Sequence, residues 1–167
     1  MRKLIAVCGS DSTDAELSSA TLKIAEEVGY YIAQRGGVLI CGGKGGVMEQ
    51  AAKGAKRGNG LSIGILPASK EKANRFIDIP IATHLGYARN YILINSADAV
   101  IGIAGRWGTL NEISYSLNID KPTILIKGSG GWMDILSEEA LLKNLDVRPH
   151  IADSAKEAVD LAFKLTE

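Results

Sequence analysis

Three short apolar segments of this chain run directly into loops made of glycine and other small or polar residues. The loops are Cys8-Gly9-Ser10, Cys41-Gly42-Gly43-Lys44-Gly45-Gly46 and Ile103-Ala104-Gly105-Arg106-Trp107-Gly108-Thr109. Apolar residues at helical spacing follow each of them, and strands that alternate with helices form βαβ units with parallel strands. The sequence therefore predicts an α/β fold, a doubly wound, mainly parallel sheet of about six or seven strands with helices on both faces (Rossmann-like).

Local signals predict where individual elements begin. Thr13 and Glu16 form a capping-box pattern that predicts the start of the first helix, and Ser154 with Glu157 predicts the start of the last one. The less regular parts predict a short strand at 77–81, helices at about 86–95 and 132–142, and an extended segment at 147–151. No repeat or linker divides the chain, so residues 1–167 are expected to form a single nucleotide- or phosphate-binding domain.

Charge and cysteine content narrow the class of protein. Lys plus Arg and Asp plus Glu both number 19, and this zero balance argues against a nucleic-acid or membrane-binding surface. The apolar N-terminal run is too short for a signal peptide or a membrane span. Cys8 and Cys41 form no CxxC motif and are expected to be buried, reduced thiols, which favours the cytoplasm. His84 and His150 are isolated, so neither a metal site nor a cofactor is predicted.

The glycine loops predict an anion site. Ligands of open parallel sheets bind at the carboxyl ends of the strands, and glycine lets backbone N–H groups approach an anion closely. A single loop of this kind is explained equally well by a tight turn, but several together favour phosphate binding. The candidate ligand-binding residues are Gly9, Ser10, Gly42, Gly43, Lys44, Gly45, Gly46, Gly105, Arg106, Trp107, Gly108 and Thr109.

Two common nucleotide motifs are absent from these loops. Neither reads GxxxxGK[ST], and the dinucleotide fingerprint GxGxxG fails because Met48 stands where its third glycine would be. A kinase, an ATPase or an ordinary NAD enzyme is therefore disfavoured, and a monophosphate is the expected ligand.

The segment from Gly105 to Glu112 resembles the PGGxGTxxE signature of the Lonely Guy (LOG) family, within the wider SLOG superfamily. The segment from Gly42 to Met48 resembles that family's GGGxxGLM stretch, and Arg89 stands where the family has the arginine of its ERK stretch. The resemblance implies a cytokinin riboside 5′-monophosphate phosphoribohydrolase with Arg89 and Glu112 as its catalytic pair.

The motif residues also differ from that family in several places. Ala104 and Arg106 replace the signature proline and second glycine, and Ala88 and Asn90 flank Arg89 in place of an acidic residue and a lysine. These differences are typical of a bacterial and archaeal branch of the superfamily near the molybdenum-cofactor carrier proteins.

Glu112 and Arg89 each allow two interpretations. Glu112 is predicted in the first turn of its helix, where the helix dipole favours an ionised carboxylate that activates water or stabilises an oxocarbenium ion. The alternative is a glutamate that satisfies backbone donors at the helix start. Arg89 is predicted to hold a phosphate or the ribose hydroxyls, or to form a structural salt bridge.

Three loop residues are likewise ambiguous. Lys44 either reaches the phosphate or is an exposed loop lysine. Thr109 donates its hydroxyl to the phosphate, caps its helix, or does both. Trp107 either stacks on a base or packs in the core or an interface.

Two classes of function follow. The first is an N-glycosidase that cleaves a nucleoside 5′-monophosphate, such as AMP, into base and ribose 5-phosphate. The second is a non-catalytic binding or carrier protein for a nucleotide or molybdopterin-type cofactor. The helices around 89–94 and 112–117 carry extra apolar residues, and family members pair through this region, so a homodimer or higher homo-oligomer is expected.

Overall fold

Seven parallel strands form a single sheet in the computed structural model, which describes all residues from Met1 to Glu167. The strands are β1 (Leu4–Gly9), β2 (Val38–Cys41), β3 (Leu61–Leu66), β4 (Ile79–Ala82), β5 (Ala99–Ile103), β6 (Thr123–Ile126) and β7 (His150–Ala152). The helices are α1 (Ser19–Gln34), α2 (Val47–Arg57), α3 (Arg89–Ser96), α4 (Trp107–Asn118), α5 (Gly131–Leu136), α6 (Glu139–Leu142) and α7 (Ala155–Lys164). The predicted fold class is confirmed.

Side chains of each central strand alternate between two hydrophobic cores, one on each face of the sheet. Along β1, Ile5 and Val7 pack with α1, α2 and α7, whereas Ala6 and Cys8 pack with α3, α4 and α5. This alternation follows from the period of two in a strand. Both faces are apolar because helices cover both. None of the helices combines the length and the hydropathy that a membrane span requires.

The strand order β4-β3-β2-β1-β5-β6-β7 puts β1 at the centre, with β2 on one side and β5 on the other. From β1 the chain adds β2, β3 and β4 on one side of the sheet. It then returns to the opposite side of β1 and adds β5, so the order of the strands reverses at β1. The carboxyl ends of these three strands lie side by side, and a crevice opens between the loops that follow them. The predicted convergence of the three loops at one edge is confirmed.

Some predicted boundaries were wrong. Helix α1 begins at Ser19, not near Thr13, because Ser18 is its N-cap and accepts a hydrogen bond from the Thr21 N–H. The predicted helix at 132–142 is two short helices, α5 and α6. The start of α7 is as predicted, since the Ser154 hydroxyl accepts from the Glu157 N–H.

Candidate functional site

A polar cleft of about 360 Å³ lies at the switch point of the sheet. Eight of the predicted site residues line it: Gly9, Ser10, Lys44, Arg89, Arg106, Gly108, Thr109 and Glu112. Six residues that were not among the predicted ones also line it: Asp11, Thr13, Asp14, Met48, Tyr87 and Asn90. Its volume falls within the roughly 300–1,000 Å³ of small-molecule sites.

The guanidinium of Arg89 forms part of the floor of this cleft. Its side chain is only 9% exposed, and its Nε and Nη1 atoms have no hydrogen-bond partner in the protein. Gly42 leaves the room for it, since a β-carbon at that position would lie 2.5 Å from Arg89 Nη2. A buried guanidinium with free donors is costly unless an acceptor binds to it.

Glu112 is the only carboxylate that pairs with this arginine. The Glu112 Oε1 atom lies 3.5 Å from Arg89 Nη1, and the Glu112 side chain is 7% exposed. This separation allows an ion pair but is too long for a strong hydrogen bond. The Arg89 donors are therefore only partly compensated from within the protein.

The predicted helix-start environment of Glu112 was wrong. Arg106 is the N-cap of α4, so Glu112 lies in the second turn, away from the free N–H groups of the first turn. Burial raises the pKa of the Glu112 carboxyl, and this effect outweighs the opposing influence of the Arg89 charge. A carboxyl with a raised pKa is better suited to donate a proton than the ionised carboxylate that the sequence predicted.

The first turn of α4 has free backbone donors, and two of its residues, Gly108 and Thr109, line the cleft. The N–H groups of Trp107, Gly108 and Thr109 have no acceptor in the protein, as expected for the start of a helix. Thr109 is not the N-cap of this helix, and its hydroxyl makes no hydrogen bond within the protein although the residue is only 4% exposed. The positive end of the helix dipole and the Arg89 guanidinium thus line the same cleft.

Ser10 joins its own loop to the other two and does not offer a free hydroxyl. Its Oγ atom accepts a hydrogen bond from the Gly105 N–H (3.0 Å) and donates one to Asp14 Oδ2 (2.6 Å). The Ser10 carbonyl accepts from the Val47 N–H at the start of α2 (2.9 Å). Ser10 and Gly105 are thus occupied in holding the three loops together.

Ion pairs line the rim of the cleft. Lys44 pairs with Asp11, and Arg106 pairs with Glu16 (3.2 Å) and Asp14 (3.7 Å). The hydrogen bond from Ser10 holds the pKa of the Asp14 carboxyl below its usual range. The rim cations are compensated by carboxylates, which leaves Arg89 as the cation with free donors.

Four glycines of the second loop do not line the cleft. Gly42 accommodates Arg89, and Gly43 and Gly46 have positive φ angles of 74° and 66°. A β-carbon at Gly46 would lie 2.3 Å from the Ser10 carbonyl oxygen, and one at Gly45 would lie 2.6 Å from Ser12 Oγ. This loop is glycine-rich because it packs closely against the loop after β1.

The two cysteines lie beneath the site. Both are buried, as predicted. Burial raises the pKa of the Cys41 thiol to about 11 and that of Cys8 well above its usual range. Neither thiol is therefore an activated nucleophile at neutral pH.

An open aromatic cleft of about 940 Å³ adjoins the polar one and shares Tyr87, Asn90 and Gly108 with it. Its other lining residues are Leu85, Ala88, Tyr91, Ile92, Trp107, Asn111 and Tyr115. Trp107 is 74% exposed, which rules out core packing. Its ring lies 5.1 Å from that of Trp132, so the two tryptophans form an aromatic pair at the edge of α4.

Sequence reasoning missed Asn90, Asp11 and Asp14 for one shared reason. Site residues were predicted from glycines and from positions of the family motif, and Asn90 is a position at which the chain differs from that motif. Asp11 directly follows the first loop and Asp14 comes three residues later, so their position after a strand end was a usable signal.

A model of the SLOG cluster4 family matches residues 2–159 of the chain. The molybdenum cofactor binding protein of the phototrophic bacterium Rippkaea orientalis is 36% identical with a TM-score of 0.89, and the match covers 100% of this chain and 99% of that one. The molybdenum cofactor carrier protein of Chlamydomonas reinhardtii is 32% identical with a TM-score of 0.81, and the match covers 98% of both chains. A cytokinin riboside 5′-monophosphate phosphoribohydrolase of Mycobacterium tuberculosis is 29% identical, over 91% of this chain and 88% of that protein.

Proposed function

Because the chain belongs to the SLOG cluster4 family, we propose that it binds a phosphorylated small molecule, a nucleoside 5′-monophosphate, in the polar cleft. The observation that carries this proposal is the buried Arg89 guanidinium, whose Nε and Nη1 donors have no hydrogen-bond partner. A phosphate supplies acceptor oxygens of the opposite charge, so its binding removes the cost of leaving these donors unpaired.

The helix start of α4 supplies the second half of the anion site. The free N–H groups of Trp107, Gly108 and Thr109 point out of the first turn, where the helix dipole favours a negative charge. Thr109 adds a hydroxyl without an internal partner. These donors and Arg89 together suit a phosphate group better than an uncharged ligand.

Calorimetry with AMP tests the binding proposal. Replacing Arg89 with Met should weaken binding by about one to two orders of magnitude, because a charge-assisted contact is lost. Arg57→Met is a matched control, since Arg57 lies on α2 and pairs with Glu26 at the surface. Equal affinities of the Arg89→Met variant and the wild type would contradict the proposal.

Hydrolysis of the N-glycosidic bond is a candidate activity, favoured by Glu112. In that reaction the C1′–N bond breaks, water supplies the hydroxyl to C1′, and the leaving base takes up a proton. Glu112 is buried beside Arg89 with a raised pKa, which suits a proton donor to the base. The arginine charge then stabilises the carboxylate that remains after proton transfer, and this carboxylate takes up the proton that the attacking water loses.

Glu112→Gln separates the two roles of the site. Base release from AMP should fall by about two to four orders of magnitude, the usual scale for an acid–base group. AMP affinity should be retained, because glutamine keeps the size of the side chain and places no negative charge near the phosphate. Loss of AMP binding in this variant would show that Glu112 acts only in holding the site together.

A carrier protein is the alternative function. It is favoured by the full-length similarity to two proteins named for molybdenum cofactor binding. In a carrier, Arg89 and the start of α4 hold the phosphate of a pterin cofactor, and no bond is cleaved. Tight binding without base release from any nucleoside monophosphate, or a pterin found by mass spectrometry of the purified protein, would favour this alternative.

Three broader properties are proposed with this function. Residues 1–167 act as one domain, and the reduced thiols of Cys8 and Cys41 fit a cytoplasmic protein. The aromatic cleft between α3 and α4 is exposed and apolar, which supports a homodimer through this face.

A further inference from the structure

Asn90 is a buried polar side chain that the ion pairs and helix donors of the site do not account for. It is 3% exposed and lines both the polar cleft and the aromatic cleft. Its Nδ2 atom donates to Asn111 Oδ1 at 2.8 Å, whereas its Oδ1 atom is buried without a hydrogen-bond partner. An unpaired buried acceptor is unfavourable and is normally satisfied by a donor that binds there.

We propose that Asn90 Oδ1 accepts a hydrogen bond from the bound ligand, so that the site selects a phosphate monoester that also carries an O–H or N–H donor. This inference rests on the proposed binding of a nucleoside 5′-monophosphate. Asn90 is then a specificity-determining residue, and the donor is a ribose hydroxyl or an amino group of the base.

Arg89 and Asn90 require opposite hydrogen-bonding groups from one ligand, an acceptor for Arg89 and a donor for Asn90. The free atoms of Arg89 are donors only, and the free atom of Asn90 is an acceptor only. A fully ionised phosphate has no hydrogen to donate, so it satisfies Arg89 and leaves Asn90 Oδ1 unpaired. The remainder of the ligand must supply the second contact. Simple alkyl phosphates, whose dianions carry no O–H group, should therefore bind less tightly than nucleotides.

Hydrogen-bonding sites reject ligands that lack the matching group more strongly than apolar pockets reject extra bulk. A ligand without the donor leaves Asn90 Oδ1 unpaired and gains no hydrogen bond at this position. The expected loss is about five- to a hundredfold in affinity.

Calorimetry with three ligands tests this inference. AMP carries both kinds of donor, 2′,3′-dideoxy-AMP lacks the ribose hydroxyls, and purine riboside 5′-monophosphate lacks the exocyclic amine. In the wild type, one of the two truncated ligands should bind about five- to a hundredfold more weakly than AMP. The ligand that loses affinity identifies the donor.

The Asn90→Leu variant supplies the second arm of the test. Leucine has a similar volume but no polar atom, so the difference between AMP and the weaker ligand should disappear. Asn118→Leu, at the exposed end of α4, should keep the difference. Thermal unfolding of both variants establishes that they are folded. The comparison of the three ligands on the wild type does not depend on either variant.

Three results would overturn the inference. Equal binding of all three ligands to the wild type would refute the role of Asn90 and leave phosphate binding intact. A preference for AMP that persists unchanged in Asn90→Leu would also refute the role of Asn90. Failure of every ligand to bind the wild type would refute the proposed function itself and this inference with it.

Discussion

The α-carbon of Gly42 faces the guanidinium of Arg89 so closely that a β-carbon at position 42 would lie 2.5 Å from Arg89 Nη2 and 2.6 Å from Nη1. Real side chains do not approach at such distances, so Gly42 makes the space that the arginine occupies. The second glycine loop thus contributes to the site by admitting a cation from α3.

Gly42→Ala is expected to displace Arg89 from the floor of the cleft. AMP affinity should fall by about tenfold or more, because the guanidinium no longer meets the phosphate in its unstrained position. Isothermal titration calorimetry measures the effect. In an Arg89→Met background the same alanine should change affinity little, since the group it displaces is already absent. Additive losses in the double variant would contradict this relationship.

The protonation of Glu112 should make stability depend on pH. Burial raises the pKa of this carboxyl above its ordinary value of 4.5, so the folded state holds the proton more tightly than the unfolded state. The associated stability is fully present below about pH 4.5 and is lost as the pH rises through the raised pKa.

Glu112→Gln removes this titration. Across the window above pH 4.5, the free energy of unfolding of the wild type should fall relative to that of the variant. The difference in slope should reach at most about 1.4 kcal/mol per pH unit, the limit for one proton. Urea denaturation of both proteins from pH 4 to pH 8 measures it, and parallel curves would refute the assignment.

Ser10→Ala should loosen the junction of the first and third loops. It leaves the Gly105 N–H and one Asp14 oxygen without their partner, at a cost of about 1–3 kcal/mol in unfolding free energy. Ser12→Ala is the matched control, because the Ser12 hydroxyl bonds only to Asp11 at the surface and its loss should cost less than about 0.5 kcal/mol. Equal effects of the two changes would show that Ser10 does not join the loops.

The aromatic cleft should be the dimer interface. Tyr91 and Tyr115 form a ring pair with centroids 5.4 Å apart on its wall, and Tyr91 is exposed. Light scattering at micromolar concentration should show a dimer for the wild type and a monomer for Tyr91→Glu, which places a charge in an apolar isologous contact. Val147→Glu introduces the same charge at an exposed apolar residue outside the cleft and should remain dimeric.

The sequence alone was sufficient for the fold class and for the edge of the sheet that carries the site. Buried strands such as 99–103 are continuous apolar runs, and their length and flanking glycines distinguish them from helices. Glycine content identified loops with close backbone contacts but not which atoms make them. Gly46 packs against Ser10 and Gly42 against Arg89, and these contacts join residues that are far apart in the chain.

The resemblance to the family motifs identified Arg89 and Glu112 as site residues, but tertiary structure decided their electrostatic state. Glu112 was predicted to be ionised at a helix start, yet α4 begins five residues earlier at Trp107, and burial raises its pKa. Burial and the absence of a hydrogen-bond partner depend on every element packed around a group. The sequence therefore determined which loops meet at the switch point of the sheet. The unpaired donors of Arg89 and the unpaired acceptor of Asn90 arose only when the helices packed over them.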